Sequence, residues 1–201
     1  MSDTDAVWKY TNVEAVDQDV SEIKPVIQRM PILFFVVCLA ALAPIKAQTS
    51  RSVYTDLGDK YCRLIKSDAT EAGEYFGRCP GTAGYHLLLA EGDLRQNLTV
   101  VTPLGKQHSL ELWTIVSSAF SSLGQKAEWR VKGQKPVALI VRYNASEDIE
   151  HPDNRTSYLV VTKITPTEIC VTHKITPGPK ANEEARQSAD EATNKPCLKA
   201  P

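Results

Sequence analysis

Four runs in the second half of the chain are dominated by apolar and β-branched residues: Ala127 to Lys132 (AEWRVK), Val137 to Tyr143 (VALIVRY), Tyr158 to Ile164 (YLVVTKI) and Ile169 to Ile175 (ICVTHKI). Such runs suit a pleated, half-buried surface and predict strands. Gly133 to Pro136 and Thr165-Pro166-Thr167-Glu168 are short enough to be hairpin loops. In the last run Ile169, Val171, His173 and Ile175 alternate with Cys170, Thr172 and Lys174. That alternation predicts one apolar and one polar face in an antiparallel sheet.

The preceding stretch is more broken. Tyr61 to Ile65 and Tyr75 to Cys79 read as short strands around the turn-prone Ser67 to Gly73. Tyr85 to Ala90 (YHLLLA) and Leu98 to Thr102 (LTVVT) read as two more, joined by the polar link Glu91 to Gln96 and followed by the turn Thr102-Pro103-Leu104-Gly105. Ser109 to Trp113 either extends a strand or begins a helix. Leu112, Val116, Ala119, Phe120 and Leu123 recur at intervals of three and four, which predicts a short amphipathic helix over 111–122 with Ser117, Ser118, Ser121 and Ser122 facing out. Beyond Pro177-Gly178-Pro179, Asn182 to Asn194 reads as a helix with an Asn cap, Glu183 and Glu184 in its first turn and a thin stripe of Ala185, Ala189 and Ala192. The expected fold is α+β: a mainly antiparallel sheet of roughly six to eight strands with a C-terminal helix packed on it.

A different pattern occupies the start. Met30 to Ile45 (MPILFFVVCLAALAPI) holds no charge, follows Arg29 and precedes Lys46-Ala47-Gln48. A basic flank, an apolar stretch and a small residue before the cut make a secretory signal, and Ile32 to Ala43 fits that layout. It falls short of the roughly 20 residues of a spanning helix and runs into Pro44. Cleavage is expected after Ala47. Cys38 follows Phe35-Val36-Val37, where a lipoprotein signal would place small residues. Residues 1–29 carry six acidic against three basic side chains, unlike the short basic start of a signal, which points to translation from Met30. An uncleaved anchor with a short cytoplasmic tail is the alternative. The expected organisation is an acidic leader at 1–29, a signal peptide at 30–47 and one periplasmic or secreted domain at 48–201.

That domain of 154 residues can bury a real core. Its 19 basic and 18 acidic residues are interspersed, with a net charge of about +1. This pattern predicts no nucleic-acid partner, and it offers no acidic block for a metal. Four of the five cysteines, Cys62, Cys79, Cys170 and Cys197, lie here, where an oxidising compartment pairs them. Three pairings exist. Proximity in sequence favours Cys62 with Cys79 and Cys170 with Cys197, closing loops of roughly 18 to 28 residues worth about 3 kcal/mol apiece. No two of them have zinc-finger spacing.

Candidate chemistry is sparse. Gly77-Arg78-Cys79-Pro80-Gly81-Thr82-Ala83-Gly84 has the glycine density of an anion loop but lacks the Gly-Lys-Ser/Thr ending, so a structural turn is expected. His86, His108, His151 and His173 form no HxH or HExxH pair, and no GxSxG nucleophile turn occurs. A polar surface built from Arg78, Arg130, Lys132 and Arg142 is the candidate binding surface, since guanidinium groups clamp carboxylates and phosphates. Trp129 and Tyr143 neighbour it in sequence, but strand alternation puts Trp129 and Arg130 on opposite faces. Asn97-Leu-Thr, Asn144-Ala-Ser and Asn154-Arg-Thr match the glycosylation pattern, which matters only in a eukaryotic secretory route. No catalytic, cofactor or metal residue is expected.

Five phrases spread over residues 54–198 carry a resemblance. They are Tyr54-Thr55-Asp56-Leu57 before Cys62; Cys79-Pro80-Gly81 with Gly84-Tyr85; Leu123-Gly124 with Glu128-Trp129-Arg130; Ile140-Val141-Arg142-Tyr143; and Asn182-Glu183, Ala185-Arg186 and Ala189-Asp190 before Cys197. With these the chain resembles an uncharacterised family of exported bacterial proteins, alphaproteobacterial in origin. The resemblance implies export and paired cysteines and brings no assigned activity. A non-enzymatic envelope protein that binds a protein partner or small ligand is the expected function, and a small hydrolase with a site assembled from scattered residues is the alternative.

Overall fold

The computed structural model describes residues 49–68 and 74–200. The acidic leader, the signal-like run and the Ala47 cleavage site lie outside the described residues, as does most of the turn expected over Ser67 to Gly73. Ten strands form one mixed, mainly antiparallel sheet. They are β1 (Arg51–Asp56), β2 (Arg63–Asp68), β3 (Glu74–Cys79), β4 (His86–Gly92), β5 (Arg95–Val101), β6 (Gln107–Ser109), β7 (Ser121–Lys132), β8 (Lys135–Ala145), β9 (Thr156–Ile164) and β10 (Ile169–Ile175). Among the described residues two helices accompany them, α1 (Leu112–Ile115) and α2 (Ala181–Glu191), the second continued by a 3-10 turn, Ala192–Asn194.

The strand order β10-β9-β8-β7-β5-β4-β3-β2 is continuous, with β1 paired to β7 and β6 paired to β5. Every pairing is antiparallel except β5 with β7, which meet in parallel at Arg95 and Ser121. The sheet curls so that alternate residues of both halves share one core. Leu87, Leu89, Leu98 and Val100 from one half cluster with Trp129, Leu139, Val141, Tyr143 and Val160 from the other. Tyr85 and Trp129 bring the halves together, with ring centroids 6.1 Å apart. Trp129 is fully buried and donates its indole N–H to Thr55 Oγ1 at 2.9 Å, so its one polar atom is satisfied.

The outer face of β8, β9 and β10 is covered by α2. Its buried stripe is Ala185, Ala189 and Ala192, packed on Ala138, Ile140, Leu159, Val161 and Ile175. Alanine methyls contribute only about 0.8 kcal/mol each, so a helix of this kind needs further attachment. The expected disulfide supplies it: Cys170 in β10 is bonded to Cys197 just beyond the helix, with Cα atoms 5.7 Å apart. Cys62 and Cys79, also paired as expected, close the β2–β3 hairpin with Cα atoms 4.1 Å apart and lie in the core.

The structure departs from the sequence reading at several places. The sheet has two more strands than the upper expectation, because β1 grows out of a polar start and the three-residue β6 follows the Thr102 to Gly105 turn. The helix expected over 111–122 is only one turn long. Its following carbonyls are taken by tertiary partners: Val116 by Lys174 Nζ at 2.6 Å, Ser117 by the Tyr143 hydroxyl at 3.0 Å, and Ser118 by Arg95 Nε at 2.8 Å. Helical hydrogen bonds cannot compete once those oxygens are committed, and Ser121 already belongs to β7. Ser121 Oγ is buried, so not all four serines face solvent. In β10 a bulge between Val171 and His173 breaks the alternation. Ile169 and Val171 point to the main core while Ile175 points to α2, so both faces are covered. Helix α2 starts at Ala181 with Lys180 before it, and Asn182 is not its cap.

Candidate functional site

On β3 to β5 the residues that do not face the core form rows across the sheet. Lys66, Phe76, Ala90 and Asn97 are successive cross-strand partners on β2, β3, β4 and β5. One step toward the hairpin ends, Gly92 stands opposite Arg95. Ala90 and Gly92 are the small members, and they form the floor of an open groove of about 760 Å³. Lys66, Glu74 and Phe76 line one wall, while Arg95, Asn97, Glu111 and Trp113 line the other. A β-carbon built at Gly92 meets no atom within 4 Å, so the space above the floor is open.

Each wall has a local cause. The β4–β5 turn is the two-residue Asp93-Leu94, both with positive φ (50° and 56°). That is the mirror-image turn a tight hairpin needs, built here without glycine at either position. It places Arg95 at the groove's end, where its guanidinium pairs with Asp93 and lies 5.0 Å from the centre of the Phe120 ring. The opposite anchor is Asn97, whose amide donates to Ser109 Oγ at 2.9 Å and whose carbonyl accepts from Leu112 N at 3.0 Å. This fixes the start of α1. Leu112 is buried, and Trp113 turns outward with 47% of its surface exposed. Glu111, just ahead of the helix, has φ 48° and its side chain makes no capping bond. Two of the four non-glycine residues with positive φ among the described residues, Asp93 and Glu111, therefore line this groove.

Two shallower hollows continue past Arg95. One of about 620 Å³ adds Thr114, Val116 and Ser117, and one of about 470 Å³ adds Phe120, Glu147 and Ile149. Burial raises the Glu147 carboxyl, but hydrogen bonds from Tyr158, Ser117 and Thr156 outweigh it and hold the group below the usual carboxylate range. Its partner Tyr158, 2.7 Å away, is pushed up to about 12 by burial and by that carboxylate. Lys174 Nζ sits 4.0 Å from the centre of the Tyr158 ring.

The polar surface expected from the sequence is divided by the fold. Arg130 and Lys132 project to the same side of β7 and both reach Asp190 of α2, Arg130 through its carboxylate and Lys132 through its carbonyl at 3.2 Å. Arg130 is only 8% exposed and also donates to Ser52 Oγ at 2.6 Å. Beside it Ser52 donates to Glu128 at 2.5 Å, and Glu128 receives Arg186 of α2 at 2.7 Å. Arg142 donates to Ser157 Oγ at 3.0 Å and lines a small hollow of about 200 Å³ with Glu128 and Arg186. Arg78 is separate: it lies on β3, three strands from β7, with a guanidinium nitrogen 3.4 Å from His86 Nδ1.

The glycine-rich segment is a turn. Tyr85 N donates to Thr82 O at 2.9 Å, Ala83 and Gly84 have positive φ, and a β-carbon at Gly81 would collide with the Tyr85 carbonyl. His86, His108 and His173 are held below the ordinary imidazole value by burial first and by nearby cations second. His151 faces Asp148 at 3.2 Å in an exposed loop. Of the sequon asparagines, Asn97 is committed to α1 and Asn144 accepts from Ser157 at 2.7 Å. Glu168, Cys170 and Cys197 lie close enough for a metal, but the two sulfurs are bonded to each other and Lys163 Nζ takes Glu168 at 2.5 Å.

This groove escapes the sequence reading, in which Glu91 to Gln96 is a polar link. The available signal is Gly92 itself, since a glycine inside a strand often marks a close approach by a ligand or another backbone. Among the described residues no helix is long and apolar enough to cross a membrane. Comparison with protein families, curated proteins and solved structures finds no match to this chain.

Proposed function

We propose that this chain is an exported, non-enzymatic binding protein of the cell envelope, and that a partner or ligand docks in the groove over Ala90 and Gly92. The observation that carries this reading is the floor itself. Two small residues on a central strand leave an open trough beside an outward-turned Trp113, and exposed aromatic surface next to fixed polar groups is the usual composition of a docking site. Lys66 pairs with Glu74 at 3.3 Å and Arg95 with Asp93, so these four charged groups serve as shape and rim. Two disulfides suit an oxidising compartment, in line with export through the Met30 to Ile45 segment.

A photo-crosslinking residue at the exposed Leu94 tests the docking site in the envelope. One discrete adduct is expected, and Gly92→Leu should remove it by filling the trough. An adduct insensitive to Gly92→Leu, or none, overturns the reading. N-terminal sequencing of the exported product tests the rest, with Gln48 expected first and an intact leader in the membrane fraction counting against it.

A further inference from the structure

The charges along the groove do not cancel. On the floor's own face Lys66 is matched by Glu74, and Arg95 by Asp93. Glu91 also borders the groove, but it belongs to the core-facing alternation of β4 and accepts from Gln96 at 2.6 Å. This leaves Glu111, an exposed carboxylate with no ion pair or side-chain hydrogen bond among the described residues, two positions from the exposed indole of Trp113. Its backbone is in the left-handed region, which a glutamate adopts only at some cost.

We infer that the groove takes an extended peptide segment of a partner protein carrying a lysine or arginine, with the cationic head at Glu111 and its methylene stem against Trp113 and Phe76. The inference rests on the groove being the docking site. One uncompensated negative charge beside an indole face selects a single cation on an apolar stem, because the carboxylate supplies the counter-charge and the ring supplies both apolar area and its negative face. An anionic segment would meet an unpaired carboxylate, and a purely apolar one would bury it without a partner. The trough lies open along β4 over Ala90 and Gly92, and an extended chain fits such a trough with alternate side chains pointing down.

The test uses the full chain and three capped tripeptides, Leu-Lys-Leu, Leu-norleucine-Leu and Leu-Glu-Leu, with binding read by calorimetry and by the indole resonance of Trp113. The lysine peptide should bind about tenfold tighter than the norleucine peptide. Glu111→Gln should bring the two within about twofold without weakening the norleucine peptide. Gly92→Leu should block all binding, and its fold is checked by its melting curve, since the position has open space and lies outside the left-handed region. Equal binding of lysine and norleucine peptides, tighter binding of the glutamate peptide, or a lysine preference that survives Glu111→Gln overturns the cation assignment while leaving the groove as the site. Binding that ignores Gly92→Leu, or no binding by any peptide, overturns this inference; the crosslink at Leu94 then decides the docking reading separately.

Discussion

Arg130 of β7 and Asp190 of α2 meet in a two-pronged ion pair, Nε to Oδ1 at 2.9 Å and Nη2 to Oδ2 at 2.8 Å. The geometry fixes the helix in both position and rotation, which a stripe of three alanines leaves loosely defined. Asp190→Ala strands a nearly buried guanidinium. Fully buried pairs cost more when broken, but the Asp190 side chain is 36% exposed, so a loss of about 2 kcal/mol is expected in urea unfolding. Replacing both members, Arg130→Met with Asp190→Leu, should cost less than Asp190→Ala alone.

Acid should loosen the same junction. Burial raises the Glu128 and Asp190 carboxyls, but hydrogen bonds from Arg186 and Ser52 to the first, and from Arg130 to the second, bring both below their ordinary values. A depressed carboxylate adds stability that is present above its unfolded pKa and lost as pH falls through its folded one. The urea midpoint should therefore be flat above about pH 5 and fall below about pH 4. Asp190→Asn should flatten that fall, and an unchanged profile would count against the junction as its source.

Thr162 faces the main core from β9, is 0% exposed, and its hydroxyl has no partner among the described residues. A buried, unpaired hydroxyl costs free energy that a methyl does not. Thr162→Val should raise stability by about 1 kcal/mol, read as a higher thermal midpoint. A drop would mean that the hydroxyl is satisfied after all.

Reducing the disulfides should act in two separable steps. The Cys62–Cys79 pair sits in the core and the Cys170–Cys197 pair is half-buried, so mild reductant should open the second first. Each closes a short loop worth about 3 kcal/mol. Non-reducing peptide mapping should give only these two cross-linked products, and a Cys62–Cys170 peptide would refute the pairing.

The strands from β7 to β10 and both disulfides are legible in the sequence, because long β-branched runs and cysteines close in sequence are decided locally. Elements decided by distant partners are not. The carbonyls of Val116, Ser117 and Ser118 end α1 through side chains from three other strands. The bulge at Thr172 reverses the face of Ile175 with no mark in the composition. The groove depends on register, since Ala90 and Gly92 become a floor only when Phe76 and Asn97 are set beside them. The arginine surface fails for the same reason: charge alone does not reveal that Asp190 will claim Arg130.

The pairing of β1 with β7 also dictates an order of assembly. Arg51 pairs across with Val131 and Asp56 with Lys126, so the first strand among the described residues has no partner until the chain has grown past its middle. Until then its backbone amides are an open edge, available to any passing strand. The hairpin of β2 and β3, clipped by a bond spanning 17 residues, can close on its own much earlier. Loop-closure entropy makes the long pairing the slow event, so maturation of this molecule should be limited by the arrival of β7, and aggregation during refolding should begin at Arg51 to Asp56.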